Sequence, residues 1–323
     1  MRIKLILYFL LVASLAFHGP TFPPASANVG DISSTVEIND ATTNGPSLGD
    51  EDHFGRSITN IGDLNGDGVD DIAVGADDDD NGGSNRGAIH IMFMNTDGSV
   101  DSTVEINDGT TNGPTLVNSD IFGRSLTNIG DLNNDGVTDI AVGAPGDDNG
   151  GSGRGAIHIF YLIFDDIIPI GDVSSTVEIN DATTNGPDLD DADYFGYSIA
   201  NIGDLNNDGV NDIAVGAPHD DDGGANRGAI HIMNMSSNGS IDSTVEINSG
   251  TTNGPDLDDN DRFGRSIANI GDLNGDGVTD IAVGAAHDDN GGANRGAIHI
   301  MNMSSAARIV STVEINDGTT NGP

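Results

Sequence analysis

The residues with the clearest potential for chemistry lie in four short acidic segments. In the first, Asp63 to Asp71, side-chain oxygens occur at positions 1, 3, 5 and 9, and Gly68 occupies position 6. A calcium-binding loop turns sharply at position 6 and favours a residue without Cβ there. Position 7, Val69, can offer only its backbone carbonyl. Hard oxygen ligands on a short, tightly turned loop suit Ca²⁺ better than Mg²⁺, which demands a stricter octahedral geometry.

The same spacing occurs in all four segments, so we predict about four Ca²⁺ ions, one per segment. The segment is not an EF-hand, because position 12 is Val74 rather than a bidentate Glu and the residues that follow are apolar like a strand. The predicted ligands are, in chain order, Asp63, Asn65, Asp67, Val69 and Asp71; Asp131, Asn133, Asp135, Val137 and Asp139; Asp204, Asn206, Asp208, Val210 and Asp212; and Asp272, Asn274, Asp276, Val278 and Asp280.

The acidic segments belong to a longer repeat. A marker, Ser-Thr-Val-Glu-Ile-Asn, places its valine at positions 36, 104, 177, 245 and 313, at intervals of 68, 73, 68 and 68 residues. Four strands per unit are predicted, because short runs rich in Ile and Val are bounded by Asn, Asp and Gly. In the first unit these strands, A to D, are Phe54–Ile61, Asp71–Ala76, Gly87–Met94 and Ser102–Asn107.

One such sheet cannot bury both of its faces, whereas sheets stacked radially as a propeller can. A β-solenoid is the alternative, but its repeats are far shorter. We therefore predict an all-β fold, a β-propeller of four-stranded antiparallel blades, with units at about 54–107, 122–180, 195–248 and 263–316. The A–B loops and C–D hairpins should share one face of the propeller, and the B–C loops and D–A linkers the other.

The Phe-Gly pairs, the Asp-x-Asn-x-Asp-Gly-x-x-Asp loops and the Gly-Ala-Pro of 143–145 and 216–218 resemble FG-GAP repeats. These repeats form the propeller of integrin alpha subunits and of many secreted microbial proteins. The resemblance covers residues 28–323 in four full copies and implies a Ca²⁺ ion in each A–B loop, on one face. Asp77 and Ala286 replace the proline in copies one and four, which alters a turn and not the ligands.

The predicted strands do not divide evenly among closed blades. A D-type strand at Ser34–Asn39 precedes the first A strand and another, Ser311–Asn316, is the last predicted strand, giving five D strands for four A-B-C sets. We therefore predict an incomplete or open ring with an exposed blade edge that tends to associate. The C–D hairpin of unit two, around Phe160 to Asp172, is longer by five residues and apolar. It is either a self-packed hairpin or a protrusion that binds a partner.

The N-terminal residues 1–27 are predicted to be a signal peptide. Arg2 and Lys4 precede an apolar run, Leu5 to Phe17, and Ala25-Ser26-Ala27 fits the small-residue cleavage rule. Its 13 apolar residues are too few to span a membrane. The sequence thus predicts a protein without membrane insertion, secreted or at the cell surface after cleavage near Ala27.

The net charge of −41, with only 11 Lys and Arg, argues against binding nucleic acid or anionic membranes. The absence of cysteine excludes disulfides and thiol catalysis. No catalytic constellation is recognisable, and identical residue types in every unit suit a scaffold, so we predict no enzyme. The predicted function is a calcium-binding propeller that mediates adhesion or protein interaction with an extracellular protein or glycan. The alternatives are a hydrolase or lyase acting on extracellular polysaccharide, or a structural surface-layer protein.

Three further sets of residues recur in every unit. The acidic B–C loops are expected to be solvated turns, although a second cation site or a landing face for a basic partner stays open. The histidines are expected to pack between blades, because each lies on a different blade and a metal needs several ligands on one centre. The arginines are expected to pair with nearby Asp. The sets are Asp77 to Asp80, Asp147 and Asp148, Asp220 to Asp222, Asp288 and Asp289; His90, His158, His231 and His299; and Arg86, Arg154, Arg227 and Arg295.

Overall fold

The computed structural model describes residues 34–163, 173–290, 292–320 and 322. The chain divides into a short N-terminal unit, Met1–Val36, and a main unit, Glu37–Pro323, to which all the strands belong. The predicted signal peptide lies outside the described residues, as does the middle of the long hairpin, 164–172.

Sixteen strands are present in the described part of the chain. They are β1 (Ile58–Gly62), β2 (Asp71–Ala76), β3 (Ala88–Met94), β4 (Val100–Ile106), β5 (Ser125–Gly130), β6 (Asp139–Ala144), β7 (Ala156–Leu162), β8 (Val173–Ile179), β9 (Ser198–Gly203), β10 (Asp212–Ala217), β11 (Ala229–Met235), β12 (Ile241–Ile247), β13 (Phe263–Gly271), β14 (Asp280–Ala285), β15 (Ala297–Met303) and β16 (Ile309–Ile315). Consecutive strands pair antiparallel in four sheets of four, β1–β4, β5–β8, β9–β12 and β13–β16. The predicted fold class is therefore confirmed.

Strand A begins later than predicted in the first three blades. The prediction started at Phe54, but β1 starts at Ile58. Gly55 has a φ of 92°, but this alone does not end the strand, because Gly264 has a φ of 86° and β13 still begins at Phe263. Strand B, Asp71–Ala76, has the predicted bounds.

The Phe-Gly pair joins each blade to the blade before it. Ser57 of blade one donates its hydroxyl to the Gly123 carbonyl of blade two at 2.7 Å. A Cβ at Gly75 would lie 2.0 Å from that same carbonyl oxygen, so only glycine permits the approach. The phenylalanine directly before the contacting glycine is fully buried in blades two, three and four (Phe122, Phe195 and Phe263). The core is thus a series of layers between neighbouring blades, dominated by Ile, Val and Ala.

The four blades form an open arc and not a closed ring. Ile298 on the outer face of the last blade is 47 % exposed, whereas its counterparts Ile89, Ile157 and Ile230 are fully buried. At the other end, Ile58 of the first blade is 63 % exposed. The prediction of an open ring is confirmed, because the face that a next blade would cover is bare.

The predicted D-type strand at Ser34–Asn39 is wrong, since residues 34–39 form no strand. Every sheet already contains its own fourth strand, so this segment has no sheet edge to join. The turn that follows it nevertheless docks as its counterparts do. Thr103 of β4 donates to the Asn44 carbonyl at 2.8 Å, as Thr176 of β8 does to Asn112 at 2.7 Å.

Candidate metal centres

Each acidic A–B loop is folded around its own carboxylates. In blade two, Asp131 accepts hydrogen bonds from the backbone N–H of Asp135 at 3.0 Å and of Gly136 at 2.8 Å. Asn133 accepts a second bond from Asp135 N–H at 2.9 Å, and Asp135 accepts one from Val137 N–H at 2.9 Å. The same bonds are present in the other three loops. The loop is thus held in a tight turn with its side-chain oxygens at the surface.

Position 9 of each loop is different, because Asp71, Asp139, Asp212 and Asp280 are fully buried. Asp139 accepts from Leu132 N–H at 2.9 Å and from Leu162 N–H, at the end of strand C, at 3.3 Å. Burial raises the pKa of Asp139 to about 7 and that of Asp212 to about 6, and the neighbouring loop aspartates act in the same direction. This residue therefore clamps the A–B loop to the start of the C–D hairpin, and both lie at one end of the blade.

The structure does not test the predicted calcium ligands, which stay a prediction. Among the described residues, the groups of three acidic or histidine side chains whose ligand atoms lie within 4.8 Å of one another do not include the loops. Those groups are His53, Asp77 and Asp78; Asp147, His158 and Glu178; and Asp220, Asp222 and Glu246. In the loops, positions 1 and 5 are exposed and position 9 is buried, with its oxygens turned to backbone donors.

Comparison with known proteins shows which family has this architecture. The model of the FG-GAP repeat matches residues 54–92, 122–160, 195–233 and 263–301, one match for each blade. The chain is an FG-GAP repeat protein. Over about half of its length it is similar to integrin alpha subunits.

The identity is 33% over 165 residues with integrin alpha-11 of Mus musculus, covering 51% of this chain and 12% of that protein. It is 34% over 164 residues with integrin alpha-4 of Xenopus laevis, covering 51% and 14%. It is 37% over 169 residues with integrin alpha-6 of Gallus gallus, covering 52% and 14%. The FG-GAP chain thus matches only a small part of each of these relatives. The described part of the chain contains no helix long and apolar enough to cross a membrane.

The B–C loops of the FG-GAP chain correct the prediction of solvated turns. Their outer residues, such as Asp148, are exposed as predicted. In the first loop Asp77 is instead buried, at 2 % exposure. In all four loops the aspartate three residues after the alanine that ends strand B is buried, at 1–2 % exposure. These residues are Asp79, Asp147, Asp220 and Asp288. Asp147 N–H donates to the Ala144 carbonyl at 3.1 Å, and its own carbonyl accepts from Gly155 at 3.0 Å, so the turn directs it inward.

The repeated arginines pair with aspartates, as predicted. Arg154 contacts Asp181 at 2.8 Å and Asp191 at 3.0 Å, and Arg227 contacts Asp259 at 2.9 Å. These pairs tie each B–C loop to the linker that leads into the next blade. The B–C loops and D–A linkers therefore meet at the end of the blade opposite the acidic A–B loops.

The repeated histidines pack as predicted. Each contacts the phenylalanine of the Phe-Gly pair edge-on, with ring centroids 5.4–5.5 Å apart. Burial lowers the pKa of His158 and His231 to about 4, which keeps both rings neutral. Sequence reasoning missed that each histidine pairs across the sheet with a glutamate, for example His158 with Glu178. The shared register of His and Glu in every repeat is the signal that could have shown this.

Sequence reasoning also missed a break in the repeat. Tyr197 follows its Phe-Gly pair where the other units carry arginine. The Arg124 guanidinium lies 4.1 Å from the centre of the Tyr197 ring, and that of Arg265 lies 5.2 Å away. The cavity beside them has a volume of about 170 Å³ and is lined by Ile121, Arg124, Pro145, Tyr194, Tyr197 and His219. We call it the tyrosine groove.

Proposed function

We propose that this FG-GAP protein is a calcium-binding interaction module of the cell exterior, without enzymatic activity. The observation that carries the proposal is the identical folding of four acidic loops around their own carboxylates. Oxygen donors held on a tight turn before an ion arrives lower the ordering cost of binding. About four Ca²⁺ would bind, one to each predicted ligand set. The mature module would be residues 28–323, after removal of residues 1–27.

Calcium dialysis tests the metal part of the proposal. We expect the chain to bind about four Ca²⁺ and to lose about one when Asp131 and Asp135 are both replaced by Asn. The matched control replaces Asp101 and Asp188, which are exposed and lie outside the loops, and removes the same charge. Equal calcium binding by the two double variants would show that the acidic surface, and not the loops, attracts the ion.

The interaction part is supported by the similarity to integrin alpha subunits, of which this chain matches a small part. The partner we propose is an extracellular protein or glycan. The tyrosine groove is the suggested contact, because there a half-buried stack of an aromatic ring and arginines departs from an otherwise uniform acidic repeat. Tyr and Arg are enriched where proteins bind partners.

Binding arrays of extracellular proteins and polysaccharides, read with calcium and with chelator, test the interaction. A partner that requires calcium and is lost in Tyr197→Arg, which restores the residue of the other units, supports the proposal. The control is Tyr161→Phe, at a site away from the groove. An array on which no ligand responds to Tyr197→Arg would contradict the assignment of the groove, and hydrolysis of an arrayed polysaccharide would contradict the non-enzymatic role.

A further inference from the structure

Blade two brings three potential metal ligands together at the end opposite its calcium loop. Asp147 comes from the loop between β6 and β7, His158 from β7 and Glu178 from β8. Their ligand atoms all lie within 4.8 Å of one another. The loop turn places Asp147, and the cross-strand register places His158 beside Glu178. Three separate elements therefore converge on one point.

The buried members of this group lack the partners that buried polar atoms normally have. His158 is 1 % exposed, and neither of its ring nitrogens has a hydrogen-bond partner. Asp147, also 1 % exposed, accepts from Asn149 N–H on Oδ1 at 2.6 Å, whereas its Oδ2 has none. The carboxyl group of Asp120, fully buried, has one bare oxygen as well. Leaving a buried polar atom without a hydrogen-bond partner costs about 1–3 kcal/mol. Several such atoms at one place therefore indicate a site that binds a ligand.

The residue types of this group recur in every blade, but among the described residues the ligand atoms of Asp, His and Glu lie within 4.8 Å of one another only in blade two. Each has an aspartate two residues before Phe-Gly, a buried aspartate in the B–C loop, a histidine on strand C and its cross-strand glutamate on strand D. The four sets are Asp52, Asp79, His90 and Glu105; Asp120, Asp147, His158 and Glu178; Asp193, Asp220, His231 and Glu246; and Asp261, Asp288, His299 and Glu314. His90 and His299 also have two unpartnered nitrogens, and Asp79 and Asp288 each have a bare Oδ2. The bare atoms therefore recur in blades one and four, whereas the convergence of all three ligands is particular to blade two.

We propose that blade two carries a second divalent-cation site, formed by Asp147, His158 and Glu178. A neutral imidazole with carboxylates is a donor set for Zn²⁺, whereas Ca²⁺ prefers oxygen ligands alone. The neutral state of His158, needed for coordination, is the one that burial favours. Glu178 is half-buried and provides the side from which an ion enters. This site is separate from the predicted calcium loop of blade two and does not depend on it.

The test is dialysis of the calcium-saturated chain against Zn²⁺ at neutral pH, with both metals measured. We expect zinc to bind in addition to the calcium, with Co²⁺ giving the visible absorption of a nitrogen-ligated site. Glu178→Gln, which keeps the side-chain shape, should weaken one zinc site tenfold or more. His158→Phe should abolish it. His287→Ala is the control, because His287 belongs to none of the clusters.

Three outcomes would overturn the inference. Zinc that binds while an equal amount of calcium is lost would lie in the A–B loops. Absent zinc binding would mean that protons alone neutralise the cluster. Zinc binding that is unchanged in both Glu178→Gln and His158→Phe would place the ion elsewhere. Because Glu178 is half-buried, its variant should fold and keep the test decisive even if His158→Phe does not.

Discussion

The acidic A–B loops and the acidic clusters at the other end of each blade use similar residues in opposite ways. In the loop of blade two, the exposed Asp131 and Asp135 accept hydrogen bonds from the backbone of their own loop. In the cluster, the buried Asp147 keeps a bare oxygen beside an unpartnered His158. The loop is a locally folded structure that an ion can join. The cluster is a buried arrangement of charge that needs either an ion or protons.

The difference shows that the number of carboxylates does not distinguish a solvated turn from a site. The exposed loop aspartates are screened by water, and their mutual repulsion is modest. Buried carboxylates lose that solvation, so burial raises the pKa of Asp147 to about 7 and that of Asp220 to about 8. Burial and missing partners, and not acidity, therefore set the two regions apart.

The largest expected effect is that of calcium removal on the loops. With free Ca²⁺ about tenfold above Kd, mass action gives about 1.4 kcal/mol per site. Four sites would then contribute on the order of 6 kcal/mol, comparable with a total stability of roughly 5–15 kcal/mol. Chelation should lower the melting temperature markedly, and calcium should restore it. Sodium at equal ionic strength should not, because screening does not coordinate. An unchanged melting curve in chelator would refute the calcium sites.

The next largest effect is the pH dependence of stability that the acidic clusters cause, measured in excess chelator. A carboxyl whose folded pKa is raised stabilises the protein fully below its unfolded value, and this contribution is lost as pH rises through the folded value. For Asp147 and Asp220 the window runs from about 4 to between about 7 and 8. One pH unit of difference between the folded and unfolded pKa corresponds to about 1.4 kcal/mol, so we expect a loss of several kcal/mol. Denaturant unfolding should therefore show stability falling with rising pH over this window.

The control for the pH dependence is the double variant Asp147→Asn and Asp220→Asn, which should flatten the slope. The negative charges of neighbouring groups also raise the pKa of Asp147 and Asp220; these groups are Asp120, Asp148 and Glu178 for Asp147, and Asp193, Asp222 and Glu246 for Asp220. A slope that the double variant leaves unchanged would place the titrating groups elsewhere.

The third prediction separates coordination from clamping within one A–B loop. In chelator, Asp139→Ala should cost about 2–4 kcal/mol, because it leaves the backbone N–H of Leu132 and of Leu162 without acceptors. Asp135→Ala, at an exposed position, should cost well under 1 kcal/mol under the same conditions. With calcium present, both variants should lose one site. Equal losses in chelator would contradict the role of Asp139 as a clamp.

The sequence predicted the features that depend on neighbouring residues. The loop spacing and strand B are local patterns, and both could be located before the structure. Burial of Asp147 and its meeting with His158 and Glu178 depend on a turn and a cross-strand register, so counting acidic residues could not reveal them. For the same reason the segment Ser34–Asn39, which has the composition of a strand, could not be known to lack a sheet edge. Strand composition indicates a tendency, whereas pairing needs a partner.

The smallest expected effect is a gain in stability from a substitution at a buried position, where substitutions usually lower stability. At pH 8 in chelator, Asp147 is largely ionised, since burial raises its pKa only to about 7. Asp147→Asn removes that buried charge and keeps an acceptor for Asn149 N–H. We expect a gain of about 1 kcal/mol in the free energy of unfolding. Asp135→Asn, which is exposed, should change it little.

Added zinc should reverse this order, because the unsubstituted chain gains a bound ion and the Asp147→Asn variant does not. The measurement is chemical denaturation of the unsubstituted chain and both variants, with and without zinc. A loss of stability in Asp147→Asn in chelator would mean that its carboxylate already has a favourable partner. The two acidic regions would then differ in exposure alone, and the cluster would need no ion.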